Sequence, residues 1–494
     1  MKTLLKLFSL KLISSLLALT YSILQVQYFG TSRTIEIYFA AQSLVYLVTS
    51  LSQGGQLAEV FLPEYHKLNA IKNGLGFQGL NVVINRMLLW GGLIVIVIFI
   101  FTPFFIHLLV PGFSEKDQVT ASLMFRVLLP YLFFQINNAF FKTVLNAEKK
   151  YGRAEFLGVT NTIVNIISLT LLYHYMGVWA LVISLLLGKI IEFIFYIKQL
   201  CRIGYKYSFI FSTSEFNHSL FFKTMKNTFL YVGATQVYSV ILTASISFLP
   251  EGTFAIYNYV LNLSNKIKGL FIQPFLTIFF TQYSILLRKS ESLVEKFKAN
   301  LTSIVYINII IIIGTILLGN FIIDLIWGSK KFDANSLSLA FIFLLFNIFG
   351  IFILSIGSVY RKMAVAQGYA KKLYLFWVIS QLLSGLFSYV LISNFQIRGL
   401  FFIIPLNQLL LAIVSYLVYQ KTNNSISYKF LNKSNFISLL LIAIAVIVKY
   451  KLDSIFLINE KLILVIVLSL VTLLLSLYPL LKMYKTVKLK LEDN

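Results

Sequence analysis

A lysine and four carboxamides share one face of a single hydrophobic stretch, Tyr257 to Phe275 (YNYVLNLSNKIKGLFIQPF). At 3.6 residues per turn, Asn258, Asn262, Asn265, Lys266, Gly269 and Gln273 fall within about 100° of one another. An ammonium group attracts anions and carboxamides hydrogen-bond to hydroxyls, so this face suits binding. No nucleophile stands beside a base in it. The surrounding run is roughly thirty residues, long enough to cross a bilayer with tilt. Such groups are costly in hydrocarbon and normally face a bundle interior or a wet cavity. Interhelical hydrogen bonding is the alternative use of the asparagines; it accounts for a buried amide better than for Lys266.

Three other stretches carry polar stripes of the same kind. The first hydrophobic run places Lys11, Ser14, Ser15, Ala18, Ser22 and Gln25 on one face, and the second Gln42, Tyr46, Thr49, Gln53 and Gln56. The seventh aligns Asn227, Tyr231, Ala234, Tyr238 and Ser245. If the seventh and eighth runs are counterparts of the first and second, each half offers two polar-faced helices to a shared centre. A contact inside one half is the plainer use of any single stripe. Among the remaining charges, Lys189 and Glu192 lie one turn apart and are expected to pair. Lys268 points about 160° away from Lys266. Arg126 and Lys142, towards opposite ends of one run, are expected to snorkel to the interfaces. Glu36 and Glu59, at the two ends of the second run, are candidate ion or proton sites, with solvation at a helix end as the alternative.

The elements that must position these residues are helices in a membrane. Of 494 residues 58% are hydrophobic and 12% charged, against about 25% charged in soluble proteins. Spanning-length runs fall near 7–27, 36–62, 82–110, 122–145, 155–174, 177–199, 225–249, 253–287, 300–326, 336–360, 372–394, 399–420, 435–450 and 461–483, about fourteen helices. With the N-terminus inside, cytoplasmic segments hold about 28 of the 42 Lys and Arg residues and external connections about 8. Both termini are therefore expected in the cytoplasm, and the basic, uncleaved-looking N-terminus reads as a retained first span. Long basic breaks after the sixth and twelfth runs predict an all-α polytopic protein of two six-helix lobes, 1–208 and 209–422. Helices thirteen and fourteen and a basic tail follow in 423–494.

Several function classes are disfavoured. One cysteine, Cys201, and four scattered histidines give no disulfide framework and no metal-ligand spacing. The Gly-rich NGLGFQGL (73–80) lacks the Lys-Ser/Thr of a phosphate loop and no strand precedes it. The net charge of +24 lies between hydrophobic runs, not on a soluble domain, so nucleic acid is not an expected partner. No cofactor or enzymatic activity is expected.

The stretches YFGTSRTIEIYFAAQ (28–42), QLAEVFLPEY (56–65), LLPYLFFQINNAFFKTVLNAEKKY (128–151), GVWALVISLLLG (177–188) and KGLFIQPFLTIFF (268–280) resemble the MurJ (MviN) lipid II flippases of the multidrug/oligosaccharidyl-lipid/polysaccharide (MOP) exporter superfamily. The resemblance covers the first six helices and the eighth, and thins beyond about residue 290. It implies fourteen helices and two lobes in a V shape around a central cationic cavity, with the last two helices forming a groove for a lipid tail. It also implies alternating access that carries an undecaprenyl-pyrophosphate-linked glycan across the bacterial cytoplasmic (inner) membrane. Where the family carries cavity arginines, this chain has Ser15, Tyr21, Thr49 and Asn262; the family's acid at the start of helix two is Glu36. Lys11 and Lys266 each lie one turn from such a position, which reads as positive charge kept but relocated. Lysine lacks the planar fork that grips a diphosphate at two points.

The expected function is thus a flippase for a lipid II-like precursor. Lys266, Lys11, Asn258, Asn262, Asn265, Gln273, Ser15, Gln42, Thr49 and Gln53 are its candidate contacts to the headgroup. Expected partners are the lipid-linked oligosaccharide, membrane lipids, and enzymes of cell-wall or polysaccharide synthesis. The alternatives are an O-antigen, capsule or exopolysaccharide repeat-unit flippase of the same fold, a cation-coupled multidrug exporter, and a transport-inactive cell-wall scaffold. The exporter would need acids in the cavity, and the stripes hold none.

Overall fold

The computed structural model describes residues 2–53, 57–72, 74–216, 218–276, 279, 283, 294–422, 433–455 and 461–492. Its elements are helices, as the hydropathy predicts. In bilayer hydrocarbon each backbone N–H and C=O must be satisfied within its own segment. Nine described helices are long and apolar enough to cross a membrane; Ala370–Gln420, at 51 residues, has the length of two passes. The chain divides into two compact units, Met1–Ala255 and Ile256–Asn494.

The first unit contains α1 (Lys2–Phe29), α2 (Arg33–Gln53), α3 (Leu57–Ile71), α4 (Leu75–Ile100), α5 (Thr102–Leu109), α6 (Glu115–Ala147), α7 (Tyr151–Met176), α8 (Trp179–Cys201) and α9 (His218–Ile246). Two expected single spans are thus divided, 36–62 into α2 and α3 and 82–110 into α4 and α5. One core joins Phe61 and Tyr65 of α3, Val83 of α4, Phe140 and Val144 of α6, and Tyr196 and Leu200 of α8. The long connection after α8 is not a free loop. Buried Asn81 and Asn85, one turn apart on α4, clasp it: their amides donate to Lys206 O, Ser208 O and Ile210 O. Tyr205 and Tyr207 hydroxyls donate back to Asn81 and Asn85, each at 2.7 Å, and Arg86 Nε donates to Phe211 O. Every amide of this buried pair is used on both sides, as a dry polar contact requires.

The second unit begins within α10 (Thr253–Ile267), which passes into a π-helical turn, Lys268–Ile272. α11 (Val294–Trp327), α12 (Ala334–Ala366), α13 (Ala370–Thr422), α14 (Lys433–Ile455) and α15 (Lys461–Glu492) follow. Gln396, at φ 53° and ψ −131°, breaks α13 into the two helices expected there. Asp333 caps α12 by accepting from Ser336 N at 2.9 Å, and hydrogen bonding from the Ser336 hydroxyl, then from that N–H, holds its carboxyl below the usual carboxylate range. The final pair packs on α11: Tyr306, Ile309 and Ile313 form a core with Ala445 of α14 and Leu468 of α15. Asn308 of α11 donates to Ser355 Oγ of α12 at 2.8 Å, satisfying a buried amide between helices.

Candidate functional site

The stripe on α10 is open. Asn262, Asn265 and Lys266 are exposed and Asn258 is half-buried, while Tyr257, Tyr259, Val260 and Ser264 on the other faces are buried. Tyr259 packs among aromatic rings, 5.8 Å from Trp327 and 6.3 Å from Phe332 by centroid, so the apolar side anchors the helix and the polar side is left out. None of the ion pairs among the described residues includes Lys266. The π turn accommodates one extra residue, which rotates everything after it by about 100°. Gln273 is exposed, but is turned by that much from the line of Asn262 and Lys266. Lys268 is half-buried within electrostatic reach of Arg361, whose guanidinium lies 5.0 Å from the Trp377 ring.

The stripes of the first unit are more covered. On α1, Lys11 is exposed, Ser15 half-buried and Gln25 buried, so the polar face sinks into protein along the helix. Tyr21 of α1 lies 3.4 Å from Ser184 Oγ. On α2, buried Gln42 donates to Tyr38 OH at 2.8 Å, and Thr49 Oγ1 is buried with no hydrogen-bond partner among the described residues. The side chains of Gln53 and Glu59 lie outside the described residues, as do those of Asn227 and Tyr231. Lys189 and Glu192 form the expected ion pair at 2.7 Å. Lys142 pairs with Glu155 at 3.1 Å, and Arg126 lies over Phe99, so each cation has a protein partner.

Glu36 is neither solvated nor open. It is 1% exposed, and its Oε1 accepts from the backbone N–H groups of Gly252 at 2.8 Å, Phe254 at 3.0 Å and Ala255 at 3.3 Å. Its Oε2 takes Arg33 Nη1 at 2.8 Å. The carboxylate therefore caps the start of α10, where four N–H groups lack intrahelical partners and the helix dipole favours negative charge. Gly252 makes this possible with φ +90°, which presents its N–H to the carboxylate; a Cβ there would also meet Thr31 at 3.2 Å. Arg33 is fixed in turn: its backbone N–H donates to Glu251 at 2.7 Å, and its guanidinium lies 4.4 Å from the Phe113 ring centroid and 3.9 Å from Asp117. The Arg33-x-x-Glu36 spacing was the one trace of this cluster visible in the sequence; its other half lies more than 200 residues along the chain.

Comparison with known proteins follows the same lines. A family model described as lipid II flippase MurJ matches residues 25–477. A probable lipid II flippase MurJ of Buchnera aphidicola is 24% identical over 282 residues, 55% of this chain and 54% of that protein. The lipid II flippase MurJ of Thermosipho africanus is 26% identical over 196 residues, 40% of each chain. The matched region thus spans about half the length of these relatives or less. Among solved structures, lipid II flippase MurJ in an inward closed conformation superposes with a TM-score of 0.77 at 21% identity, covering 95% of this chain and 98% of that one. An inward-facing multidrug resistance MATE transporter of the MOP superfamily gives 0.65 at 16% identity, over 85% and 98%. These likenesses show the fold.

Proposed function

This chain belongs to the lipid II flippase MurJ family, and from that premise we propose that it moves an undecaprenyl-pyrophosphate-linked glycan across the bacterial cytoplasmic membrane. The observation that carries the reading is the exposed ammonium of Lys266 among exposed carboxamides, on a helix whose other faces are buried. The pyrophosphate is attracted to Lys266; the sugars hydrogen-bond to Asn258, Asn262 and Asn265, with Gln273 a turn further on. Lys11 and Ser15 on α1 are further contacts along the path, while the polyprenyl tail stays in lipid. Gln42 and Thr49 are covered, and join only in a conformation that uncovers that face of α2.

Alternating access gives the Glu36 cluster a role. A carboxylate holding one helix start through three N–H groups makes a latch that is released as a unit. By the charge count this latch lies at the external end of the spans. No bond is made or broken in the cargo. The inside-negative potential favours return of an empty cationic site inward, by up to about 2.3 kcal/mol per charge per 100 mV.

A capsule-type repeat unit is the second cargo, favoured by one observation. Of the places where the family resemblance implies arginine, Thr49 is buried with no partner among the described residues, Tyr21 lies against Ser184 and Asn262 is neutral. A lysine point charge with carboxamides discriminates less sharply for a diphosphate than arginine forks do. Translocation in proteoliposomes decides, with lipid II and a capsule-type precursor offered in parallel. Transport of lipid II supports the first reading, transport of the capsule precursor alone the second, and transport of neither refutes both.

A further inference from the structure

We propose that a basic pocket at the ends of α7 and α8 binds the headgroup of an anionic phospholipid. The pocket, about 500 Å³, is lined by Arg153 from the first turn of α7, Lys198 from the last turn of α8 and Arg202 just beyond it. No acid lies in its lining. Glu155, two residues from Arg153, is taken up by Lys142 at 3.1 Å. Arg153 reaches across the mouth to Gln199 Oε1 at 3.4 Å, which orients its guanidinium and leaves other N–H donors for a ligand. Lys198 and Arg202 are exposed.

The remaining wall is apolar. Phe156 and Phe195 are 53% and 36% exposed, and Leu10 of α1 completes the lining. Three cations above an aromatic floor match a phosphate with acyl chains below it, and a soluble anion would leave that floor unused. The charge count puts this end at the cytoplasmic surface, where the leaflet is anionic and each basic residue contributes about 1 kcal/mol to lipid binding. Lys149 and Lys150, both exposed in the adjoining turn, add to the local field. The site is independent of the transport reading, because its readout is bound lipid.

The test uses the full chain reconstituted in phosphatidylcholine vesicles doped with phosphatidylglycerol, then extracted, with retained lipid counted by native mass spectrometry. The wild type retains phosphatidylglycerol over phosphatidylcholine. Joint replacement Arg153→Gln, Lys198→Gln and Arg202→Gln weakens that retention by roughly tenfold or more. A control that removes three charges elsewhere (Lys298→Gln, Lys371→Gln and Lys372→Gln) leaves it unchanged. Should the triple variant fail to fold, Lys198→Gln and Arg202→Gln, both at exposed positions, read the same loss in smaller steps. Equal retention of the two lipids, or full retention by the variants, overturns the assignment. Displacement of the lipid by soluble glycerophosphoglycerol at equal phosphate also overturns it, because the site would then be one for free anions.

Discussion

Glu36 and Lys266 are both charged residues on helices of a membrane protein, and the structure treats them in opposite ways. Glu36 is buried and receives three backbone N–H groups and one guanidinium. Lys266 is exposed beside exposed asparagines, outside every ion pair among the described residues. A charge in a low-dielectric surrounding persists only if something stabilises it. For Glu36 that something is the chain itself. For Lys266 the chain supplies little, which leaves the stabilising partner to come from water or cargo.

Breaking the saturated side should have the largest effect. Glu36→Ala strands Arg33 and three buried N–H groups, a loss of about 3–5 kcal/mol for a broken buried charge network. Thermal unfolding of the purified protein reads it; an unmoved midpoint means the cluster holds nothing. On the open side, Lys266→Ala should lower lipid-linked glycan translocation roughly 10- to 100-fold, about 1.5–3 kcal/mol of lost charged hydrogen bonding, with unfolding unchanged. Lys266→Arg should keep transport, since it retains the cation. If Lys266→Ala destabilises the protein yet transports normally, the contrast between the two sites is wrong.

Gly252→Ala sharpens the same contrast more gently. Its φ of +90° costs an alanine about 1–2 kcal/mol, and the added Cβ presses on Thr31. The unfolding midpoint should fall by less than for Glu36→Ala, and a rise would show that the turn is not strained as described. The smallest effect belongs to Tyr207→Phe, which deletes one hydrogen bond of the α4 clasp at a half-exposed hydroxyl. It should cost about 0.5–1.5 kcal/mol, and protease sensitivity within 205–211 should rise slightly. No rise there would mean the asparagines alone hold the connection.

Local spacing was informative wherever both partners sit on one helix. The Lys189–Glu192 pair follows from residues three apart, and the amphipathic split of α10 follows from a period of 3.6. Hydropathy located the spans, although α2 and α3 merge into one run because only the short polar break SQGGQ (52–56) separates two apolar stretches. The pinned connection after α8 has the composition of a basic linker, since Asn81 and Asn85 carry no sign of which distant carbonyls they will meet. The π turn was invisible because one inserted residue changes helical phase without changing composition.

Composition and periodicity alone determined that this chain is a bundle of membrane helices with a polar face on α10. The reason is that hydrocarbon admits only segments whose backbone bonds are internal, and that rule reads directly from apolar run lengths. Tertiary structure decided which charges are spent and which are available. Saturating Glu36 takes N–H groups more than 200 residues away, and sinking Gln42 takes a neighbouring tyrosine. Burial of a charge depends on what packs against it, and packing between distant segments is a property of the folded chain.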